Sequence, residues 1–181
     1  MIPNILTILR IAFIPLIVIC FYIKTQAAMT SALILFVLAC ITDFLDGYIA
    51  RQCKQTSNFG RCFDPVADKL LVACIILMFS GFGYITGVNL IAATIILFRE
   101  IFVSGLREFL IEIKVPLPVS RLAKIKTTIQ MISLVAILAG ISINNPIILN
   151  IGIGILWLAA ILTIITGYQY FVKGIRHMDL D

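Results

Sequence analysis

Long apolar runs separated by short polar breaks organise this chain. The first run extends from about Ile5 to Ile23 and contains a single charge, Arg10, with Pro15 placed to kink a helix. After Lys24, Thr25 and Gln26, a second run, Ala27–Thr42, passes without a gap into Asp43, Asp46 and Gly47. The polar segment Arg51–Phe63 precedes a third run, which begins near Asp64 and Pro65 and ends at Phe79; Pro65 suits the first turn of a helix. Gly81–Gly87 reads as a turn. The fourth run covers about Val88–Leu110 but holds Arg99, Glu100, Arg107 and Glu108. Lys114–Lys126, with Pro116 and Pro118, is again polar. A fifth run covers about Thr127–Ile143, Asn144, Asn145 and Pro146 mark a turn, and a sixth covers about Ile147–Val172 before a polar tail. Runs of this length predict six transmembrane helices with short connections.

Composition sharpens the picture. Of 181 residues, 61% are hydrophobic and 13% charged, and the mean hydropathy is +1.12. A soluble domain carries about a quarter charged residues. These values exclude a soluble globular enzyme and a disordered protein, and unbroken apolar runs without alternation argue against a β-barrel. The expected architecture is an all-α integral membrane protein, with residues 1–181 forming one membrane domain and no internal repeat.

The net charge is +5, which in such a chain speaks to orientation rather than to nucleic acid. Six spans put both termini on one side. That side also holds Arg51, Lys54, Arg61, Lys114, Arg121, Lys124, Lys126, Lys173 and Arg176, whereas the opposite connections hold Lys24. The bias predicts cytoplasmic termini. Met1–Asn4 lacks the basic start of a cleavable signal peptide, so the first span is expected to direct insertion. Of the five cysteines, Cys20, Cys40 and Cys74 lie in apolar runs, and Cys53 and Cys62 lack zinc-ligand spacing.

Ionisable residues inside membrane spans are costly, at about 2.5–3.5 kcal/mol each, and mark functional sites. Here they gather at the cytoplasmic ends: Arg10 in the first turns, Asp43 and Asp46 closing the second span, Asp64 and Asp68 opening the third, Arg107 and Glu108 closing the fourth. Arg99 and Glu100 lie deepest and read equally as a structural pair or as site residues. The charges define one polar cavity open to the cytoplasm.

Asp43 and Asp46 are spaced i,i+3, and Asp64 and Asp68 i,i+4, so each pair shares a helix face. Four converging carboxylates would repel one another and lose solvation. One or two divalent cations would offset both costs. An all-oxygen donor set selects a hard ion, Mg²⁺ or Mn²⁺, with Ca²⁺ also compatible. The plain alternative, interfacial salt bridges to Arg51, Arg61 and Lys69, explains one pair better than four acids on two regular spacings. His177 reads as a solvated tail residue.

Residues 43–68 read DFLDGYIARQCKQTSNFGRCFDPVAD. This resembles the signature of the CDP-alcohol phosphotransferase family, D-x2-D-G-x2-A-R-x8-G-x3-D-x3-D, with Asp43, Asp46, Gly47, Ala50, Arg51, Gly60, Asp64 and Asp68 at the fixed positions. The opening Ile2–Arg10, Arg99-Glu100 followed by Ser104–Glu108, and Lys124–Met131 are similar to the phosphatidylglycerophosphate synthases of that family. The likeness touches spans one to five.

The resemblance implies a six-span enzyme, usually a homodimer, in the inner (cytoplasmic) membrane, its active site facing the cytoplasm. It implies transfer of a phosphatidyl group from CDP-diacylglycerol to sn-glycerol 3-phosphate, giving phosphatidylglycerophosphate and CMP. By the same likeness Asp43, Asp46, Asp64 and Asp68 would bind the metal, two ions of Mg²⁺ or Mn²⁺, with Asp68 also the general base. Asp43, Gly47, Ala50, Arg51 and Gly60 would form the CDP pocket. The acceptor's phosphate needs cationic donors, for which Arg107, Arg121, Lys124 and Lys126 are the candidates, with Arg10 and Thr7 behind them. Plain positive-inside topology or attraction to anionic lipid is the competing account of Arg121, Lys124 and Lys126. A phosphatidylserine, phosphatidylinositol-phosphate or cardiolipin synthase would share the metal site and differ in the acceptor pocket. A divalent-cation transporter would require polar groups continuing to the outer face, where the connections between spans offer Lys24.

Overall fold

The computed structural model describes the backbone of residues 2–53, 58–115 and 120–178, and the side chains of residues 7–43, 63–115 and 120–175. Six helices follow in order: α1 (Ile2–Ile23), α2 (Gln26–Cys53), α3 (Asn58–Gly81), α4 (Asn89–Glu112), α5 (Arg121–Ser142) and α6 (Pro146–Met178). Among the described residues there is no strand. Within α2, α4, α5 and α6 lie stretches long and apolar enough to cross a membrane, and Thr7–Ile23 of α1 is a shorter apolar helix.

The helices stop and start where backbone groups find local partners. Lys24, Lys114 and Asn144 adopt left-handed φ values of 59°, 61° and 52° just beyond α1, α4 and α5. After α5, Asn145 N–H returns to Gly140 O at 2.8 Å, and after α4, Val115 N–H returns to Leu110 O at 2.8 Å, which satisfies end carbonyls. Thr25 Oγ1 accepts from Ala28 N–H at 3.2 Å, Ser120 Oγ from Ala123 N–H at 3.1 Å, and Asn145 Oδ1 from Ile147 N–H at 2.9 Å. These cap α2, α5 and α6, with Pro146 at the first helical position of α6. Gly83 and Gly87, at φ 78° and 56°, shape the turn before α4.

Several boundaries differ from the sequence expectation, and α6 continues to Met178, past the expected end near Val172. Helix α2 continues to Cys53 and α3 begins at Asn58, so most of the polar segment 51–63 is helical. Pro65 therefore sits inside α3 rather than in its first turn; near a helix start the lost N–H bond is a small fraction of the ladder. Helix α5 begins at Arg121, which makes the basic stretch 121–126 its first turns. Helix formation at a water-facing end needs no apolar residue, so apolar runs underestimate helix length there. Pro15 lies within α1 without ending it.

The chain comprises two compact units: Met1–Ile85 with Leu134–Gly152, and Thr86–Ser133 with Ile153–Asp181. In the first, α1 packs on α2 and α3. Phe21 is fully buried and meets Phe79, Phe82 and Tyr84 at centroid distances of 6.0, 5.6 and 6.4 Å. Thr30 and Ser142 hydroxyls lie 3.0 Å apart, linking α2 to the end of α5. In the second unit, Trp157 Nε1–H donates to Asn89 Oδ1 at 3.0 Å, tying α6 to the start of α4. Val103, Ala123 and Tyr170 form a small core there, with Leu106 packed against it.

Candidate active site

In the first unit one cation meets two of the four signature aspartates, Asp43 and Asp68, and a hydroxyl of the same helix meets a third, Asp64. Arg10, on α1, is fully buried. Its Nη1 donates to Asp68 Oδ1 on α3 at 2.5 Å and stands 3.2 Å from Asp43 Oδ1 on α2. One turn earlier on α1, the buried Thr7 hydroxyl donates to Asp64 Oδ1. Thr7 and Arg10 are three residues apart, so one face of α1 addresses both aspartates of α3. The side chains of Asp43 and Asp68 remain 43% and 36% exposed, so the cluster is anchored from below and open on its other side.

Arg10 and Thr7 thus lie with the carboxylates. A positive partner of these acids comes from α1. Asp46, Gly47, Ala50 and Arg51 are on the helical backbone of α2 and Gly60 on that of α3, while their side chains lie outside the described residues. Among the described residues no three His, Cys, Asp or Glu side chains converge to hold a metal ion. The donor chemistry nevertheless fits a hard divalent cation: the acids offer only oxygen, and a guanidinium already bridges two of them as a cation would.

The second unit holds a cationic cavity of about 340 Å³, lined by Arg99, Glu100, Arg107, Lys124, Thr127 and Tyr170 among others. Arg107 comes from α4 and Lys124 from α5. The Nε atoms of Arg99 and Arg107 are buried and have no hydrogen-bond partner among the described residues. A buried guanidinium donor left unpaired is costly, and an anion supplies the missing acceptor. Tyr170 Oη accepts from Ser120 N–H at 3.1 Å, which fixes the ring and the α5 entry, and Arg99 lies over that ring at 5.6 Å.

Lys126 behaves differently from its neighbours. It is fully buried, and its Nζ donates to Glu100 Oε1 and, at 2.9 Å, to Gln130 Oε1. Arg99 Nη1 stands 3.4 Å from the same Glu100 oxygen. Lys126 therefore reaches the cavity through Glu100 rather than lining it. Arg121 is exposed on the first turn of α5 and is not among the residues that line the cavity. The sequence reading missed Gln130, Thr127 and Tyr170. The i,i+4 spacing of Lys126 and Gln130 was the available signal for the first; nothing local marked Tyr170.

Residues 1–165 match the CDP-alcohol phosphatidyltransferase family. The CDP-diacylglycerol–glycerol-3-phosphate 3-phosphatidyltransferase of Rickettsia felis is 52% identical over 170 residues, covering 93% of this chain and 92% of its own. The proteins of the same name from Pectobacterium atrosepticum and Cereibacter sphaeroides are 40% and 37% identical over 182 and 213 residues, covering 99% and 98% of this chain and 97% and 96% of their own. With the signature aspartates assembled on α2 and α3 and the match running through five helices and into the sixth, the chain belongs to the CDP-alcohol phosphatidyltransferase family.

Proposed function

We infer that the chain transfers the phosphatidyl group of CDP-diacylglycerol to sn-glycerol 3-phosphate, forming phosphatidylglycerophosphate and CMP. Relatives bearing that activity in their name match it along nearly the whole of both chains. The structural observation that carries the acceptor is the cationic cavity with its unpartnered Arg107 Nε.

The acceptor's hydroxyl oxygen bonds to the phosphorus that bears diacylglycerol. The anhydride P–O bond breaks, and CMP leaves with its electron pair. Asp68 takes the hydroxyl proton. Asp43, Asp46, Asp64 and Asp68 would hold one or two Mg²⁺ or Mn²⁺ ions. Bound there, such ions would neutralise the pyrophosphate and the charge that grows on the departing phosphate. A carboxylate beside a cation is a weak base, so positioning and charge neutralisation weigh more than basicity. Arg10 holds Asp43 and Asp68 together from below, and Thr7 holds Asp64. Asp43, Gly47, Ala50, Arg51 and Gly60 form the CDP pocket, where Arg51 suits a phosphate bidentately. Arg107 and Lys124 grip the acceptor's phosphate, Arg121 draws it in from the surface, and Lys126 positions Glu100 in the cavity wall.

In the membrane, six spans with cytoplasmic termini would turn the active site to the cytoplasm, where the nucleotide and the acceptor are found. The acyl chains of the donor stay in the bilayer of the inner membrane, and the working unit is a homodimer.

The test is CMP release by purified protein in detergent with CDP-diacylglycerol and Mg²⁺ or Mn²⁺. Glycerol 3-phosphate, serine, inositol phosphate and phosphatidylglycerol are offered separately. Release with glycerol 3-phosphate alone, abolished by EDTA, is the expected result. Release with a different acceptor overturns the acceptor assignment and keeps the family chemistry.

A further inference from the structure

Within the second unit, α4 and α6 border an apolar groove of about 560 Å³, with Phe98, Phe102, Ile164 and Phe171 in its walls. Phe98 and Phe102 stack with ring centroids 6.0 Å apart, and Phe98 is 69% exposed. Both helices contain stretches long and apolar enough to cross a membrane, so the groove suits hydrocarbon.

Among the polar residues of its lining, two bear on what the groove can hold. Thr163 is fully buried, and its Oγ1 has no hydrogen-bond partner among the described residues. Arg99 walls both this groove and the cationic cavity. Its stem passes Gly167, where a Cβ would stand 3.1 Å from Arg99 Cγ, so the missing side chain gives the arginine its path. An apolar slot, a buried hydroxyl in need of an acceptor, and a cavity of unpaired guanidinium donors thus adjoin along one side chain. A single ligand meets all three: a glycerolipid, with hydrocarbon chains, ester carbonyls and a terminal phosphate.

Resting on the function inferred above, we propose that the α4–α6 groove receives an acyl chain of the product lipid while that lipid's terminal phosphomonoester lies in the Arg99–Arg107–Lys124 cavity. An ester carbonyl accepts the Thr163 hydroxyl. The headgroup dianion distinguishes this lipid from its bilayer neighbours, which can offer the groove a chain but cannot fill the cavity. The groove then provides a departure site for product.

Photolabelling of the full chain in phosphatidylcholine nanodiscs tests this. One probe is phosphatidylglycerophosphate with a diazirine in one acyl chain; the other is phosphatidylcholine with the same chain. The phosphatidylglycerophosphate probe should label α4 and α6 peptides containing Phe98, Phe102 and Ile164 in several-fold excess over the phosphatidylcholine probe. Saturating glycerol 3-phosphate should remove the excess. So should Arg107→Gln, and so should Ile164→Trp, which fills the groove. Equal labelling by the two probes, an excess insensitive to glycerol 3-phosphate, or labelling confined to other helices overturns the proposal. Thermal melting of each variant checks that it is folded. CMP release on the same preparation separates the two inferences: release without groove labelling removes the groove and keeps the synthase, and the reverse keeps a phospholipid site and removes the synthase.

Discussion

Arg10 on α1 donates to Asp68 on α3 at 2.5 Å, a contact spanning 58 residues of sequence, and the same nitrogen lies 3.2 Å from Asp43. A buried cation thus balances acids that would otherwise repel. Arg10→Met removes that balance. Because both carboxylates are part-exposed, the loss of stability should be about 1–3 kcal/mol, less than the full cost of breaking a buried pair. Mg²⁺ should raise the melting temperature of the variant more than that of the wild type, since cation and guanidinium neutralise the same groups. An equal Mg²⁺ effect in both proteins would show that Arg10 and metal act on different charges.

Asp68→Asn keeps the volume of the side chain and removes its capacity to take a proton. Turnover should fall by about 10²–10⁴-fold, while CDP-diacylglycerol still protects the protein against thermal unfolding. Initial rates of CMP release and nucleotide-dependent melting measure the two effects. Wild-type kcat would take Asp68 out of the mechanism.

The six helices were legible because each apolar run is long and the breaks carry strong turn chemistry, as at Asn145 and Pro146. The ends of α2, α3 and α5 were not, because a water-facing helix end follows backbone hydrogen bonding and has no apolar signature. The aspartates were legible from their spacing on two successive helices. Arg10 was expected, with Thr7, on the acceptor's phosphate; its pairing with the aspartates was not legible, because a contact between α1 and α3 leaves no local pattern. The same reason hid Lys126: its basic neighbours Arg121 and Lys124 suggested a common phosphate-facing role, but Glu100, 26 residues away, captures its ammonium.

On the proposed function, Arg107 offers the acceptor's phosphate a guanidinium whose Nε has no partner among the described residues. Arg107→Gln should raise the KM for glycerol 3-phosphate about 10–100-fold, the worth of a charged hydrogen bond. The KM for CDP-diacylglycerol and kcat at saturating acceptor should change far less. Initial rates across an acceptor titration distinguish these. A lowered kcat with unchanged KM would place Arg107 at the chemical step instead.

Gly140 and Gly154 make a matched pair of tests for the hairpin of α5 and α6. A Cβ at Gly140 would stand 2.5 Å from Leu149 N, whereas at Gly154 it meets nothing within 4 Å. Backbone yields less readily than a side-chain end, so Gly140→Val should destabilise by about 1–3 kcal/mol. Gly154→Val should melt close to the wild type. Thermal melting in one detergent compares them directly, and equal midpoints would contradict the close approach at Gly140.

Glu100 connects the buried Lys126 to the cavity wall, and the pair can be separated from plain phosphate binding by a double-mutant cycle. Lys126→Met alone leaves Glu100 without its buried partner and should destabilise by about 3–5 kcal/mol, the cost of breaking a buried ion pair. Lys126→Met combined with Glu100→Gln removes both charges and should recover much of that loss. If Lys126 acts by holding Glu100, the KM for glycerol 3-phosphate should follow the same pattern: raised in the single variant and partly restored in the double. A lysine in direct contact with the phosphate would give a KM defect that Glu100→Gln leaves untouched. Thermal melting and acceptor titrations on the four proteins therefore read stability and binding from one set of side chains, and the sign of the coupling in KM decides between positioning and direct contact.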